Sequence, residues 1–113
     1  MASPETVAAL GELGLLARLF PYCPAQVVGD DGAVLDLPTG HRLVVTTDVL
    51  VEGVHFSDTT LCPQDLGWRA AAANLSDLAA MGSTSVVGLT VGLVAPGETS
   101  WSWVEGVYQG LSE

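Results

Sequence analysis

The chain has 113 residues, room for one compact domain, and its 49% hydrophobic against 14% charged residues exclude a disordered acidic tail. Thirteen acids against three arginines (Arg18, Arg42 and Arg69) leave a formal charge of −10, a surface that repels a phosphate backbone and argues against nucleic acid as a direct partner. Divalent cations held between carboxylates and a ligand would still let so acidic a chain bind phosphates.

Taken from the start, Ser3 with Pro4 reads as a helix opening, and Leu13, Leu16, Ala17 and Phe20 follow helical spacing through "ELGLLARLF" until "PYCP" ends it. Residues 33–37 ("AVLDL") and 42–51 ("RLVVTTDVLV") read as strands joined by the turn residues "PTGH". A hairpin centred between Thr39 and Gly40 would set Asp31 opposite Asp48 and Asp30 opposite Val49. Like charges facing each other across a ladder are destabilising unless something neutralises them. "PQDLGWRAAAANLSDLAAMG" is the clearest helix, with Pro63 at its start and Gly82 as its stop. Asn74 and Asp77, three apart, share one of its faces. Residues 86–94 alternate large side chains with Gly88, Thr90 and Gly92, as a strand does when one face is approached closely. "ETSWSWVEGVYQGLSE" starts a last helix, capped by Thr99 or by a Ser102/Glu105 box, with Trp101, Val104, Tyr108 and Leu111 on one stripe.

The order helix, strand, strand, helix, strand, helix predicts an α/β (α+β) fold: a mixed sheet flanked by helices. Ending inside an amphipathic helix, the chain reads as an incomplete domain covering residues 1–113. Cys23 and Cys62 have no Cys/His ligand spacing around them, which argues against zinc. "MASPETVAAL" lacks the basic start and apolar core of a secretory signal, so free thiols in a reducing cytoplasm are expected. Residues 86–96, the longest apolar run, are too few to span a bilayer.

Three oxygen-rich clusters remain: "GDDG" (29–32), "TTD" (46–48) and "NLSD" (74–77). Each has an ordinary explanation: a turn, a strand end, a solvated helix face. Together they are the hard-oxygen donors that magnesium takes, with substrate phosphates and water completing its shell. The chain has no GxxxxGK[ST] loop, no GxGxxG fingerprint, no EF-hand pattern and no GxSxG elbow. The residues alone leave a cation site and separate structural roles both open.

"GDDGAVL", "LVVTTDVLVEGVHF" and "LGWRAAAANLSDLAAMG", followed by the tryptophan-containing helix, resemble in order and spacing the amino-terminal part of the thiamine-monophosphate kinase family. That family belongs to the aminoimidazole ribonucleotide synthetase-like superfamily. The resemblance runs from about Gly11 to the last residue, and "TTDVLVEGVHF" followed by "NLSDLAAMG" is its discriminating pair. It implies ATP-dependent phosphorylation of thiamine monophosphate to thiamine diphosphate. It also implies a homodimer in which two amino-terminal domains close their sheets into a barrel near the bound ATP.

By the same resemblance, Asp30, Thr46, Thr47, Asp48 and Asp77 match magnesium-site positions, His55 a substrate contact and Tyr108 a nucleotide contact. Strand alternation puts Thr46 and Asp48 on one face and Thr47 on the other, so Thr47 would join only through its backbone or a local kink. No protein nucleophile is required, and no catalytic base is assigned. The family's later Gly-Gly-Asp segment and carboxy-terminal domain are expected beyond Glu113, which makes this chain by itself an inactive fragment. Two rival readings are a cyclo-ligase or selenophosphate synthetase of the same superfamily, against which "VEGVHF" argues, and a dimerising module without activity.

Overall fold

In the computed structural model, residues 5–25, 33–54 and 61–112 are described. Three helices appear in them: α1 (Val7–Leu19), α2 (Pro63–Ala80) and α3 (Trp101–Leu111).

The clearest helix of the sequence is also the best terminated. Pro63 occupies the first turn of α2, where its missing N–H costs no intrahelical bond. At the other end Gly82 takes φ 78°. Its N–H donates to the Ala79 carbonyl at 3.0 Å, and the Ser83 N–H to the Leu78 carbonyl at 3.1 Å. That bond pair is a Schellman cap, which satisfies carbonyls the helix would otherwise leave unpaired.

The cap of α3 lies one residue after Thr99, one of the two caps the sequence offers. Ser100 is the N-cap, its Oγ accepting from the Trp103 N–H at 3.2 Å, while Ser102 Oγ lies 3.2 Å from Ser100 Oγ. Thr99 is drawn elsewhere: its carbonyl accepts the Val7 N–H at 2.8 Å. The Gly97 carbonyl accepts from Ala8, and the Glu5 carbonyl from Trp101. These bonds tie the start of α1 to the start of α3, so a long-range contact decides between two locally equivalent caps.

α2 and α3 cross in close contact. A Cβ on Gly67 would overlap the Val107 carbonyl oxygen, and one on Gly110 the Gln64 carbonyl oxygen. One on Gly106 would come within 2.9 Å of Pro63. Glycine at 67 and 110 lets the backbones meet and at 106 makes room for the Pro63 ring, with Leu66 and the fully buried Val104 also buried on these helices. Of the expected α3 stripe, Val104 is buried while Trp101, Tyr108 and Leu111 are half-buried.

α1 departs further from expectation. Thr6 caps it, accepting from the Ala9 N–H at 3.1 Å, and Gly11 at φ 68° kinks it. Its buried residue is Leu19, whereas Leu13, Leu16, Ala17 and Phe20 are exposed. The helix is held by its ends, and nothing among the described residues covers the predicted stripe. Arg18 pairs with Glu5 and places its guanidinium 5.6 Å from the centre of the Trp101 ring.

The predicted strands do not pair. Among the described residues 33–37, 42–51 and 86–94 belong to no ladder, and the one isolated bridge joins Thr6 to Ser100. The turn between the first two segments does form where the sequence placed it: His41 N–H donates to the Pro38 carbonyl at 3.1 Å, with Gly40 at φ 82°. Thr39 keeps a negative φ, so the turn lacks the two left-handed residues of a type I′ turn. With Gly third it has the type II form, whose twist splays flanking strands instead of zipping them. A second turn, from Val51 carbonyl to Val54 N–H at 3.1 Å with Gly53 at φ 82°, ends the next segment.

Alternation survives in part without a ladder: Val44, Thr46 and Leu50 are half-buried and Val45, Thr47 and Val49 exposed, but Asp48, expected on the Thr46 face, is exposed as well. The radius of gyration, 15.8 Å, exceeds the ~13 Å of a compact chain this size. No described helix is long and apolar enough to cross a membrane.

Candidate metal and nucleotide site

Of the seven singled-out residues, Tyr108 and four others can be placed with their elements, and two cannot. Asp30 and His55 lie outside the described residues, as does Asp31, so the Asp31–Asp48 register falls there too. Thr46, Thr47 and Asp48 follow one another in the segment between the turns at 38–41 and 51–54. Thr46 is half-buried; Thr47 and Asp48 are exposed. One carboxylate oxygen of Asp48 accepts the Val49 N–H at 3.0 Å, a local bond that orients the group and leaves its second oxygen free of protein partners among the described residues.

Asp77 sits at the start of the last turn of α2, exposed, and its carboxylate has no side-chain partner among the described residues. Asn74, on the same face, is occupied: its Nδ2 donates to the Ala70 carbonyl one turn back at 2.8 Å. That contact removes a donor, leaving oxygens to dominate the face. Among the described residues no three His, Cys, Asp or Glu side chains gather closely enough to hold an ion. Asp48 and Asp77 are the two candidate carboxylates the structure describes, and the third cluster, "GDDG", lies outside the described part.

Tyr108 is set more firmly. It is half-buried on α3, and its ring lies 6.1 Å from that of Tyr22, tilted by 54°. Tyr22 belongs to a 3₁₀ turn, Phe20–Tyr22, that follows α1. Its hydroxyl donates to Glu105 Oε2 at 3.1 Å, so Glu105 serves this bond and not the predicted capping box. Burial pushes the Tyr108 phenol above its ordinary value, and the neighbouring Cys23 adds to the shift. Tyr22 is raised as well, by burial first and then by the hydrogen bond and negative charge of Glu105, with Gln109 opposing. Both phenols thus remain protonated donors through the neutral range. Glu105 lies three residues before Tyr108, a spacing visible in the sequence; Tyr22 is distant along the chain and no local signal marks it. Cys23 and Cys62 are both free thiols, as expected.

On another side, a groove of about 350 Å³ runs between α2, the end of α3 and residues 86–89, lined chiefly by Trp68, Leu75, Val86, Leu89 and Leu111. None of the described candidate metal or nucleotide residues lines it.

Residues 29–113 match the family described as AIR synthase related protein, N-terminal domain. The chain belongs to that family, and the mixed sheet expected of it is not formed among the described residues.

Among curated proteins, the chain is 54% identical over 109 residues to a thiamine-monophosphate kinase of Synechococcus elongatus, covering 96% of this chain and 33% of the relative. It is 49% identical over 102 residues to the thiamine-monophosphate kinase of Prochlorococcus marinus, covering 90% and 30%. To that of Escherichia coli it is 40% identical over 103 residues, covering 86% and 31%. The chain thus spans about a third of the length of the curated relatives it matches. No solved structure matches it.

Proposed function

We propose that this chain is the amino-terminal, nucleotide- and metal-binding part of a thiamine-monophosphate kinase, which transfers the γ-phosphoryl group of ATP to thiamine monophosphate. The observation that carries the reading is the likeness to named thiamine-monophosphate kinases over nearly the whole chain, which includes every described residue of the candidate site.

The donor chemistry agrees. Asp48 and Asp77 offer exposed carboxylate oxygens, and Thr46 and Thr47 hydroxyls. Such a set suits a hard, oxygen-seeking ion and is poor for zinc. Asp30, Asp48 and Asp77, with Thr46 and Thr47, would hold Mg²⁺. When bound, Mg²⁺ supplies neutralising charge between the two phosphate-bearing substrates and on the transferring group.

The need for such charge follows from the reaction. An oxygen of the acceptor phosphate must reach the γ-phosphorus of ATP. Each pair of unit charges about 4 Å apart repels by ~1 kcal/mol in water and several-fold more in a drier site. The carboxylates of this chain would therefore orient the phosphates through what they hold. Tyr108 would contact the nucleotide and His55 the acceptor. No residue here needs to act as nucleophile.

The exposed apolar segments fit a larger assembly. Val34 is 93% exposed and Val94 fully so, and the groove beside Trp68 is apolar. Single domains seldom leave such surface open. In the complete protein residues 33–37, 42–51 and 86–94 would join a mixed sheet, shared with a second copy in a homodimer. The kinase would work in the cytoplasm, where both thiols stay reduced.

The test is a full-length fusion of this chain to the remainder of the Synechococcus elongatus relative. It should make thiamine diphosphate from thiamine monophosphate and ATP. Asp48→Asn or Asp77→Asn should each lower turnover by about a hundredfold or more while leaving the circular dichroism unchanged. Near-normal turnover of both variants at saturating magnesium refutes the metal site. Preference for an acceptor other than thiamine monophosphate in a substrate panel would move the chain to a cyclo-ligase or selenophosphate synthetase reading.

A further inference from the structure

We propose that Tyr22 and Glu105 are positioning residues for the nucleotide: together they hold the ring of Tyr108 in the orientation that meets ATP. The inference deepens the proposed function and rests on reading Tyr108 as a nucleotide contact.

Three observations support it. First, Tyr22 and Tyr108 are in tilted ring contact, 6.1 Å between centres, an arrangement that aromatic quadrupoles favour and that limits the ring's rotation. Second, Tyr22 is itself held at both ends. Its backbone lies in a 3₁₀ turn with Pro21, closed by the Cys23 N–H donating to the Phe20 carbonyl at 2.9 Å, and its hydroxyl donates to Glu105. Third, Glu105 stands one helical turn before Tyr108, so the brace returns to the helix that carries the ring it supports. The Tyr22 bond is the side-chain contact of the Glu105 carboxylate among the described residues, leaving that carboxylate no other evident task.

The dull alternative is a strut joining α1 to α3. A second contact of that kind exists and provides the control: Arg18 over Trp101 also links the two helices, but it meets α3 two turns before Tyr108.

The experiment uses the full-length fusion, with steady-state kinetics for both substrates, Mg·ATP binding by calorimetry and melting temperature for every variant. Tyr22→Phe and Glu105→Ala should each raise the KM for ATP and weaken Mg·ATP binding about threefold to tenfold, the worth of one hydrogen bond. The kcat and the KM for thiamine monophosphate should stay within about twofold. Glu105→Gln keeps an acceptor for the Tyr22 hydroxyl and should restore the ATP KM. Arg18→Gln should leave it unchanged. If Tyr108→Ala weakens ATP binding but Tyr22→Phe and Glu105→Ala do not, the brace is refuted and the nucleotide reading stands. If Arg18→Gln shifts the ATP KM as much as they do, the contact is a structural strut and the inference falls. If Tyr108→Ala has no effect, or the unsubstituted protein binds no Mg·ATP, the nucleotide reading fails and takes the inference with it.

Discussion

The α2–α3 crossing and the segment 86–94 both place glycines among larger apolar residues, yet they do opposite things with them. At the crossing, Gly67, Gly106 and Gly110 are buried, and a methyl group on any of them would strike the other helix. In 86–94 a methyl on Gly88 or Gly92 would meet nothing within 4 Å, and Val86, Val87, Leu89 and Val91 are exposed. One glycine set has found its partner. The other has the pattern of a closely approached strand without the approach. The difference teaches that glycine spacing reports a capacity for contact, and that only a neighbouring surface turns the capacity into stability.

The largest effect should come from Gly110→Val. With no room beside the Gln64 carbonyl, the helices must separate, at a cost of about 3 kcal/mol or more, seen as a collapse of the thermal transition followed by circular dichroism. An unchanged melting curve would mean that the crossing does not form. Val104→Ala comes next: the side chain is fully buried at the same contact, and its truncation should cost about 2 kcal/mol in urea unfolding. Ser100→Ala removes the oxygen that accepts the Trp103 N–H and should cost about 1 kcal/mol. Thr99→Ala should cost less, because Thr99 contributes backbone bonds that alanine retains. Smallest of all, Gly88→Ala and Gly92→Ala should change the stability of this chain by less than about 0.5 kcal/mol. In the full-length fusion they should become clearly destabilising if the segment enters a sheet there. Equal, negligible costs in both settings would argue against the closely packed strand.

How much of this was legible beforehand depended on the distance over which each feature is decided. Pro63 and Gly82 mark the ends of α2 through bonds a few residues long, and the structure places both as expected. The turn at Thr39–Gly40 was equally local and equally visible. The hairpin beyond it was not, because pairing 33–37 with 42–51 requires a twist that this turn does not supply. The buried side of α1 was misjudged for a related reason. Leu13 and Leu16 satisfy helical periodicity, but periodicity does not say which surface exists to cover them, and Leu19 took the buried place. At the candidate site the donor types were legible in "TTD" and "NLSD", and so was the Glu105–Tyr108 spacing, whereas Tyr22 joins that pair from far along the chain and left no sequence mark.

By itself the sequence determined the helices, the stops of α1 and α2, the turn, the acidic oxygen donors and the family likeness, since these reside in side-chain chemistry and short-range backbone preference. Only the tertiary structure decided that three glycines let α2 and α3 pack closely, two of them backbone to backbone, that Ser100 and not Thr99 caps α3, and that Glu105 braces Tyr22. Those outcomes turn on which distant surfaces meet, and packing energies of that kind outweigh local preferences that differ by a few tenths of a kcal/mol.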